Sequence, residues 1–256
     1  MKAFAAVVGD SFLRLRRDKL FFPAIMTSII LFCFASLASD WVIEEVYKVL
    51  FDIGFSVFHI TGVLVAAFFG SKLLADTSVD GSIEVQLASP MSRATWLLGS
   101  YVGLSCALLL LGAILIASWQ GIMYAFGFGP LKPAFLHIFL MMMVIWLIIG
   151  AVSIMFGCFN SFGVSLFSSL GLWVIGMITA PISLLKVPEG AETTSKITKT
   201  LAFLWDLRQF NLADYAFLQS WRLPPEVVIQ KLTYAGSLIG LFLLVACIIF
   251  SRRDIT

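Results

Sequence analysis

Long stretches without a charged side chain dominate this sequence. Five of them lack Asp, Glu, Lys and Arg altogether, at residues 20–39, 53–71, 94–131, 133–185 and 232–251. A helix needs about 20 apolar residues to cross a hydrocarbon core of about 30 Å. Only 12% of the chain is charged, against about 25% in soluble domains. The sequence therefore excludes a water-soluble globule and predicts a membrane protein.

Two of these stretches are longer than one span requires. In the third, Gly127, Gly129 and Pro130 are expected to stop a helix near Phe126. The fourth divides at residues 158–163, a small polar turn that lets two spans form a hairpin. We predict an all-α polytopic fold with six spans, near 21–39, 53–71, 97–118, 134–157, 164–185 and 232–250. A signal peptide at 20–39 is disfavoured, because the apolar run exceeds the 7–15 residues typical of such a core.

The basic residues predict how these spans are oriented. An even number of spans places both termini on one side, and short cytoplasmic loops carry an excess of Lys and Arg. The side that holds the termini carries Lys2, Arg14, Arg16, Arg17, Lys19, Lys72, Arg93, Arg252 and Arg253, whereas the short loops opposite offer only Lys48 and Lys132. We expect a multi-pass protein of the cell (inner) membrane with both termini cytoplasmic.

Composition and motifs also limit the chemistry. A formal net charge of +2 leaves no strongly basic face for nucleic acid. The sequence contains no phosphate-binding loop, no HExxH and no G-x-S-x-G, so we expect no enzyme activity, cofactor or metal in this chain itself. The two histidines, His59 and His137, are expected to form hydrogen bonds between helices rather than to bind a ligand. The four cysteines lie in or beside spans, where they act as small apolar residues.

The first 20 residues predict an amphipathic helix. Phe4, Val7, Val8, Phe12 and Leu15 fall on one arc, while Asp10, Arg14 and Arg17 fall on the other. This pattern is typical of a helix lying in the membrane interface, with Arg14, Arg16 and Arg17 on its polar side. The alternative is that these arginines only set the topology, and the two readings are compatible.

Residues 72–96 form the most informative segment between spans. Apolar Ile83, Val85 and Leu87 are interleaved with Asp80 and Glu84, which is too polar to span and too apolar for a linker. A short helix on the cytoplasmic surface, ending at residues 89–90 and presenting charges to a soluble partner, satisfies this pattern. A re-entrant or merely interfacial connector remains the alternative.

The same segment resembles type-2 ABC transporter permeases. Its D-G-S-I-E at residues 80–84, L-A-S-P-M-S-R at 87–93 and L-L-G at 97–99 are similar to that family's E-x-G-T-[LI]-E-x-L-L-[AS]-x-P-[VI]-S-R and L-G-K. In the family this is the coupling helix, which docks in a groove of a cytoplasmic ATPase. The resemblance implies a coupling role for Asp80, Gly81, Ser82, Glu84, Leu87, Ser89, Pro90, Ser92 and Arg93.

Two further motifs are similar to the same family. F-S-R-R-D-I at residues 250–255 resembles its tail after the last span. W-D-L-R-Q-F-N-L at residues 205–212 is similar to an outer segment of the branch associated with multicopper enzyme maturation. Ser100 and Gln86 depart from the family's usual Lys and apolar residue, and Trp205-Asp206 replaces Pro-Asn.

The regions outside and within the later spans carry further expectations. Residues 186–231 are too apolar to float free, which predicts a small helical cap on the outer ends of the spans. The alternative is an outer gate or a contact for an extracytoplasmic partner. Small residues let helices approach closely, and the resemblance places spans one and five at the contact between protomers. The candidates for that contact, or for the pathway, are Gly163, Ser168, Gly171 and Gly176.

The sequence thus predicts one transmembrane permease domain over residues 1–256. The resemblance implies a partner permease protomer, in a homo- or heterodimer, and two cytoplasmic ATPase subunits that bind ATP and Mg. ATP hydrolysis on those subunits would drive export or conformational work across the lipid bilayer. The alternative function is an ATPase-independent membrane scaffold or channel subunit. No residue pattern indicates the substrate.

Overall fold

The computed structural model describes residues 2–39, 46–79, 92–127, 129, 133–183, 200, 204–212 and 224–252. Within these ranges the regular elements are seven α-helices and one 3₁₀ turn. In chain order they are α1 (Lys2–Arg17), α2 (Phe21–Ser39), α3 (Val46–Val79), α4 (Arg93–Ala125), α5 (Pro133–Gly157), α6 (Phe162–Ser183), the 3₁₀ turn Arg208–Phe210 and α7 (Pro225–Arg252). The all-helical prediction is confirmed.

Each helix from α2 to α7 overlaps one predicted span, but α3 and α7 extend beyond the predicted 53–71 and 232–250. Five of them, α3 to α7, are long and apolar enough to cross a membrane. Helices α1 and α2 meet at an angle of 54°. If this bent pair is counted as one span, the total is six. With 34 residues, α3 exceeds what a bilayer requires. The polytopic membrane fold is therefore confirmed.

The helix ends follow the local signals in the sequence. Helix α4 ends where Phe126 caps it and Gly127 adopts a left-handed φ of 80°, a conformation that glycine reaches without strain. Between α5 and α6 the chain turns at Cys158–Asn160, and the Asn160 amide donates to the Phe156 carbonyl over 3.0 Å. Both predicted breaks are thus confirmed.

The core lies where α3 crosses α4 and α5, and it is largely aromatic. Phe51 stacks on Phe135 with ring centroids 4.2 Å apart, and Phe58 lies 4.5 Å from the Trp146 ring. The indole of Trp146 lies so close to Gly62 that a Cβ there would be 1.7 Å from the ring. Glycine at this position therefore allows α3 and α5 to approach closely around a large side chain.

Buried serines join α3, α5 and α6. Ser165 donates to the Ser153 carbonyl over 2.9 Å and its hydroxyl lies 3.0 Å from that of Ser71. Ser153 in turn donates to the Ala66 carbonyl over 3.3 Å. Although Ser165 lies just after the turn between α5 and α6, its hydroxyl bridges helices. Such bonds are each worth about 0.6 kcal/mol in membrane proteins.

His59 also joins two helices. It is 5% exposed on α3, and the Trp173 indole of α6 donates to its Nε2 over 3.2 Å. Because Nε2 accepts this bond, the ring proton of the neutral imidazole lies on Nδ1. The expectation of a hydrogen bond between helices is confirmed for His59.

Candidate functional site

The ends of four helices meet at one end of the bundle. We call this meeting place the basal junction: Asp18, Lys72, Arg93, Trp96 and Phe250, together with the crossing of α1 over α4. It contains the start of α4 at Arg93, which lies inside the predicted coupling segment 72–96. It also contains α1 and the C-terminal end of α7, so the two ends of the described chain lie at the same end of the bundle.

Arg93 connects the start of α4 to the end of α7. The Ser92 hydroxyl caps α4 by accepting from the Thr95 amide over 3.2 Å, as serine commonly does at this position. Arg93 then extends to α7, where its guanidinium donates to the carbonyls of Phe250 at 3.4 Å and Ser251 at 3.2 Å. A cation is favourable there, because the last carbonyls of a helix are unsatisfied and carry partial negative charge.

Aromatic stacking supports the same connection. The rings of Trp96 and Phe250 lie 5.6 Å apart at an interplanar angle of 24°. Both side chains are buried, at 3% and 1% exposure. The polar and apolar contacts together hold the last turn of α7 against the first turn of α4.

An ion pair connects the end of α3 to the turn between α1 and α2. Lys72 Nζ lies 2.5 Å from Asp18 Oδ2, and Asp18 is only 13% exposed. The other carboxylate oxygen accepts from the Leu20 amide over 3.0 Å. A pair shielded in this way is screened less by salt than a surface pair is.

Helix α1 lies across α4 at two glycines. A Cβ on Gly103 would lie 2.7 Å from Ser11 Cβ and 2.8 Å from the Val8 carbonyl oxygen. One on Gly99 would lie 2.9 Å from Val7 Cγ1. The apolar arc of α1 that the sequence placed toward the membrane therefore packs on the protein, while Arg16 and Arg17 remain exposed.

At the opposite end of the bundle, residues 204–212 form a strap between α6 and α7. The Trp205 indole donates to the Leu172 carbonyl of α6 over 2.7 Å, and its ring meets Phe242 of α7 edge-on at 5.5 Å. The Tyr234 hydroxyl of α7 donates to the Leu204 carbonyl over 2.9 Å. The strap thus joins the middle of α6 to α7.

Changing Trp205 tests this fastening. We expect W205F to lower the free energy of unfolding by about 1 kcal/mol, because it removes the indole N–H bond but keeps an aromatic ring beside Phe242. W205A should cost about 3 kcal/mol or more, since it also empties the space beside Phe242. Denaturation in mixed detergent micelles measures both. The matched control is L204A, whose side chain is 57% exposed; equal losses for W205A and L204A would contradict the fastening.

Comparison with known proteins now identifies the chain. The family model described as ABC-2 family transporter protein matches residues 19–255. The chain belongs to the ABC-2 transporter family. A search of curated proteins gives no match. Membership makes the chain a permease subunit of an ABC transporter and a multi-pass membrane protein, and it implies in general a dimer with ATPase partners.

Only some of the predicted coupling residues lie in the described part of this permease. Residues 80–91 lie outside the described residues. They include every coupling candidate from Asp80 to Pro90. Ser92 and Arg93 lie in the basal junction, one as a helix cap and the other on α7. The predicted segment is therefore flanked on its C-terminal side by residues that bond within the permease.

The candidates for a protomer contact also differ in their surroundings. A Cβ on Gly163 or Gly171 would meet nothing within 4 Å in the described chain, whereas one on Gly176 would lie 2.7 Å from Leu207 of the strap. Ser168 is half-buried. Gly176 therefore serves packing within the permease, whereas no described residue packs on Gly163 or Gly171.

Two features of the junction escaped the sequence interpretation. Gly99 and Gly103 have the small-x-x-x-small spacing that marks close helix crossings, and this signal could have predicted where α1 docks. The Asp18–Lys72 pair has no comparable signal, because 54 residues separate its members.

Proposed function

We propose that this permease converts ATP-driven movement of cytoplasmic ATPase subunits into rearrangement of its membrane helices. The ATPases would bind at residues 80–91, and the basal junction would pass their movement to the bundle. The outcome would be export of a substrate or conformational work on a partner across the membrane. Under this proposal both termini are cytoplasmic and the membrane is the inner membrane.

The observation that carries the proposal is the attachment of both flanks of residues 80–91. On the N-terminal flank, Lys72 of α3 holds Asp18 at the end of α1. On the C-terminal flank, Arg93 of α4 holds the last carbonyls of α7. A displacement of the segment would therefore move four helices together rather than only the two that it connects. For movement to be transmitted in this way, the contacts of Lys72 and Arg93 would switch between two discrete arrangements.

The proposed function also specifies the other subunits of the assembly. Each complex would contain two ATPase subunits, which bind ATP and Mg, and a second permease protomer. Helix α6 offers a face for that protomer, because exposed apolar residues lie on one side of it at intervals of three, seven and four positions, at Val164, Phe167, Val174 and Ile178. Gly171 lies on the same face, without a neighbour in the described chain.

Purification of the tagged permease from its native membranes tests the proposal. We expect an ATPase with a phosphate-binding loop to co-purify, with a mass that corresponds to two permeases and two ATPases. E84R should reduce the recovered ATPase about 10-fold or more, because charge reversal at a docking surface costs several kcal/mol. The control is E226R, which reverses an exposed acid in the first turn of α7 at the opposite end.

R93Q separates docking from transmission. Because Arg93 bonds within the permease, this variant should retain the ATPase but lose most of the permease-dependent change in ATP turnover. Recovery of the permease without any ATPase, and wild-type behaviour of E84R, would instead favour the ATPase-independent scaffold or channel. ATP turnover without substrate movement in proteoliposomes would favour work on a partner over export.

A further inference from the structure

We infer that the outward side of the α1–α2 turn is a binding surface for anionic lipid headgroups. The surface consists of the cations Arg16, Arg17 and Lys19 and the apolar side chains Leu13, Leu20 and Phe22. This inference goes beyond the proposed function and does not depend on the ATPase.

The first argument is an excess of positive charge at the turn. All three cations are exposed, and in the described chain no carboxylate lies within ion-pair distance of them. The two acids of this region are engaged elsewhere. Asp10 pairs with Arg14 at 3.0 Å, and Asp18 turns inward to Lys72. The turn therefore presents three positive charges that no carboxylate among the described residues pairs with.

The second argument is the apolar side chains among these cations. Leu13, Leu20 and Phe22 are 42%, 44% and 65% exposed. They flank the three cations in the sequence, with Leu13 before them and Leu20 and Phe22 after them. A purely anionic soluble partner would match the charges but not the apolar side chains. A lipid surface satisfies both, with phosphates at the cations and acyl chains at the apolar groups.

The third argument is the position of the turn. Helix α2, which the sequence predicts as the first span, begins at Phe21 and is bent 54° from α1. Residues 16–19 therefore lie next to the point where the chain enters the hydrocarbon, at the depth of the headgroups. Basic residues at this depth gain about 1 kcal/mol each from an anionic leaflet.

A lipid titration of the full-length protein tests the inference. Phosphatidylglycerol or phosphatidylcholine is added to the permease in neutral detergent, and the shift in melting temperature is followed against lipid concentration. For the wild type we expect saturable stabilisation by phosphatidylglycerol that weakens at high salt. R16Q/R17Q/K19Q should need about 100-fold more of this lipid for half the effect. The single variant K19Q should need about 5-fold more, which provides a result if the triple variant does not fold.

The matched control is D10N/R14Q, which removes the adjacent ion pair and leaves the net charge unchanged. It should respond to phosphatidylglycerol as the wild type does. A wild-type response of the triple variant would overturn the inference. So would equal stabilisation by soluble glycerol phosphate, which would indicate a site for small anions. If the triple variant responded to lipid as the wild type does but lost a co-purifying ATPase, the surface would be assigned to a protein partner.

Discussion

Replacing Gly62 by alanine is expected to lower the free energy of unfolding of this permease by about 2–3 kcal/mol. The new Cβ would lie 1.7 Å from Cε2 of Trp146, a side chain with no exposed surface. The indole has no room to move, because the Phe58 and Phe139 rings also enclose this region of α3 and α5. Overpacking of such a core typically costs 1–3 kcal/mol.

A double-mutant cycle shows whether the indole is the cause. W146L creates space opposite Gly62, so the penalty of G62A should fall by about 1 kcal/mol or more in that background. Detergent denaturation of the four proteins gives the coupling energy. The control is G236A on α7, where a Cβ meets nothing within 4 Å, and it should cause no loss. Additive penalties would mean that close packing of α3 on Trp146 does not limit stability.

Replacing Gly103 by leucine is expected to displace α1 from α4 and to abolish most ATPase coupling. A Cβ at this position meets backbone, namely the Val8 carbonyl at 2.8 Å and the Phe12 nitrogen at 3.1 Å. Backbone cannot rotate away, so the two helices must separate. At Gly99 the nearest atom belongs to the Val7 side chain, and G99L should therefore have a smaller effect.

Two measurements separate this effect from general misfolding. Hydrogen exchange of residues 4–15 should accelerate in G103L, since α1 loses its packing surface. The permease-dependent change in ATP turnover should fall about 10-fold or more, while the ATPase still co-purifies because residues 80–91 are unaltered. G121L, at a position on α4 without a neighbour within 4 Å, is the control. Normal exchange in α1 together with normal turnover would contradict a role for this crossing.

Much of the fold could be predicted because lipid restricts the possibilities so strongly. Backbone groups in hydrocarbon must bond within their own segment, so a charge-free stretch of sufficient length becomes a helix. The breaks at Gly127 and residues 158–160 were equally predictable, since small and polar residues end helices by local conformation. Of the candidate site, the predicted segment and its C-terminal flank at Arg93 were visible as a motif.

The contacts that the sequence did not predict depend on which helices pack against each other. The apolar arc of α1 is the same pattern whether it faces lipid or α4, and a periodic pattern does not name its partner. Ser165 likewise reads as a turn residue until α3 and α5 are placed beside it. Asp18 and Lys72 lie 54 positions apart, and nothing local links them.

The sequence by itself determined that this chain spans a membrane, which stretches form its helices, and which segment resembles a coupling helix. Those properties follow from hydrophobic length and short-range conformation, which a linear pattern contains. Only the tertiary structure decided that Arg93 holds the end of α7, that α1 docks at Gly103 and that residues 204–212 fasten α6 to α7. Each of these contacts joins residues distant in the chain, and their geometry arises only when whole helices pack side by side.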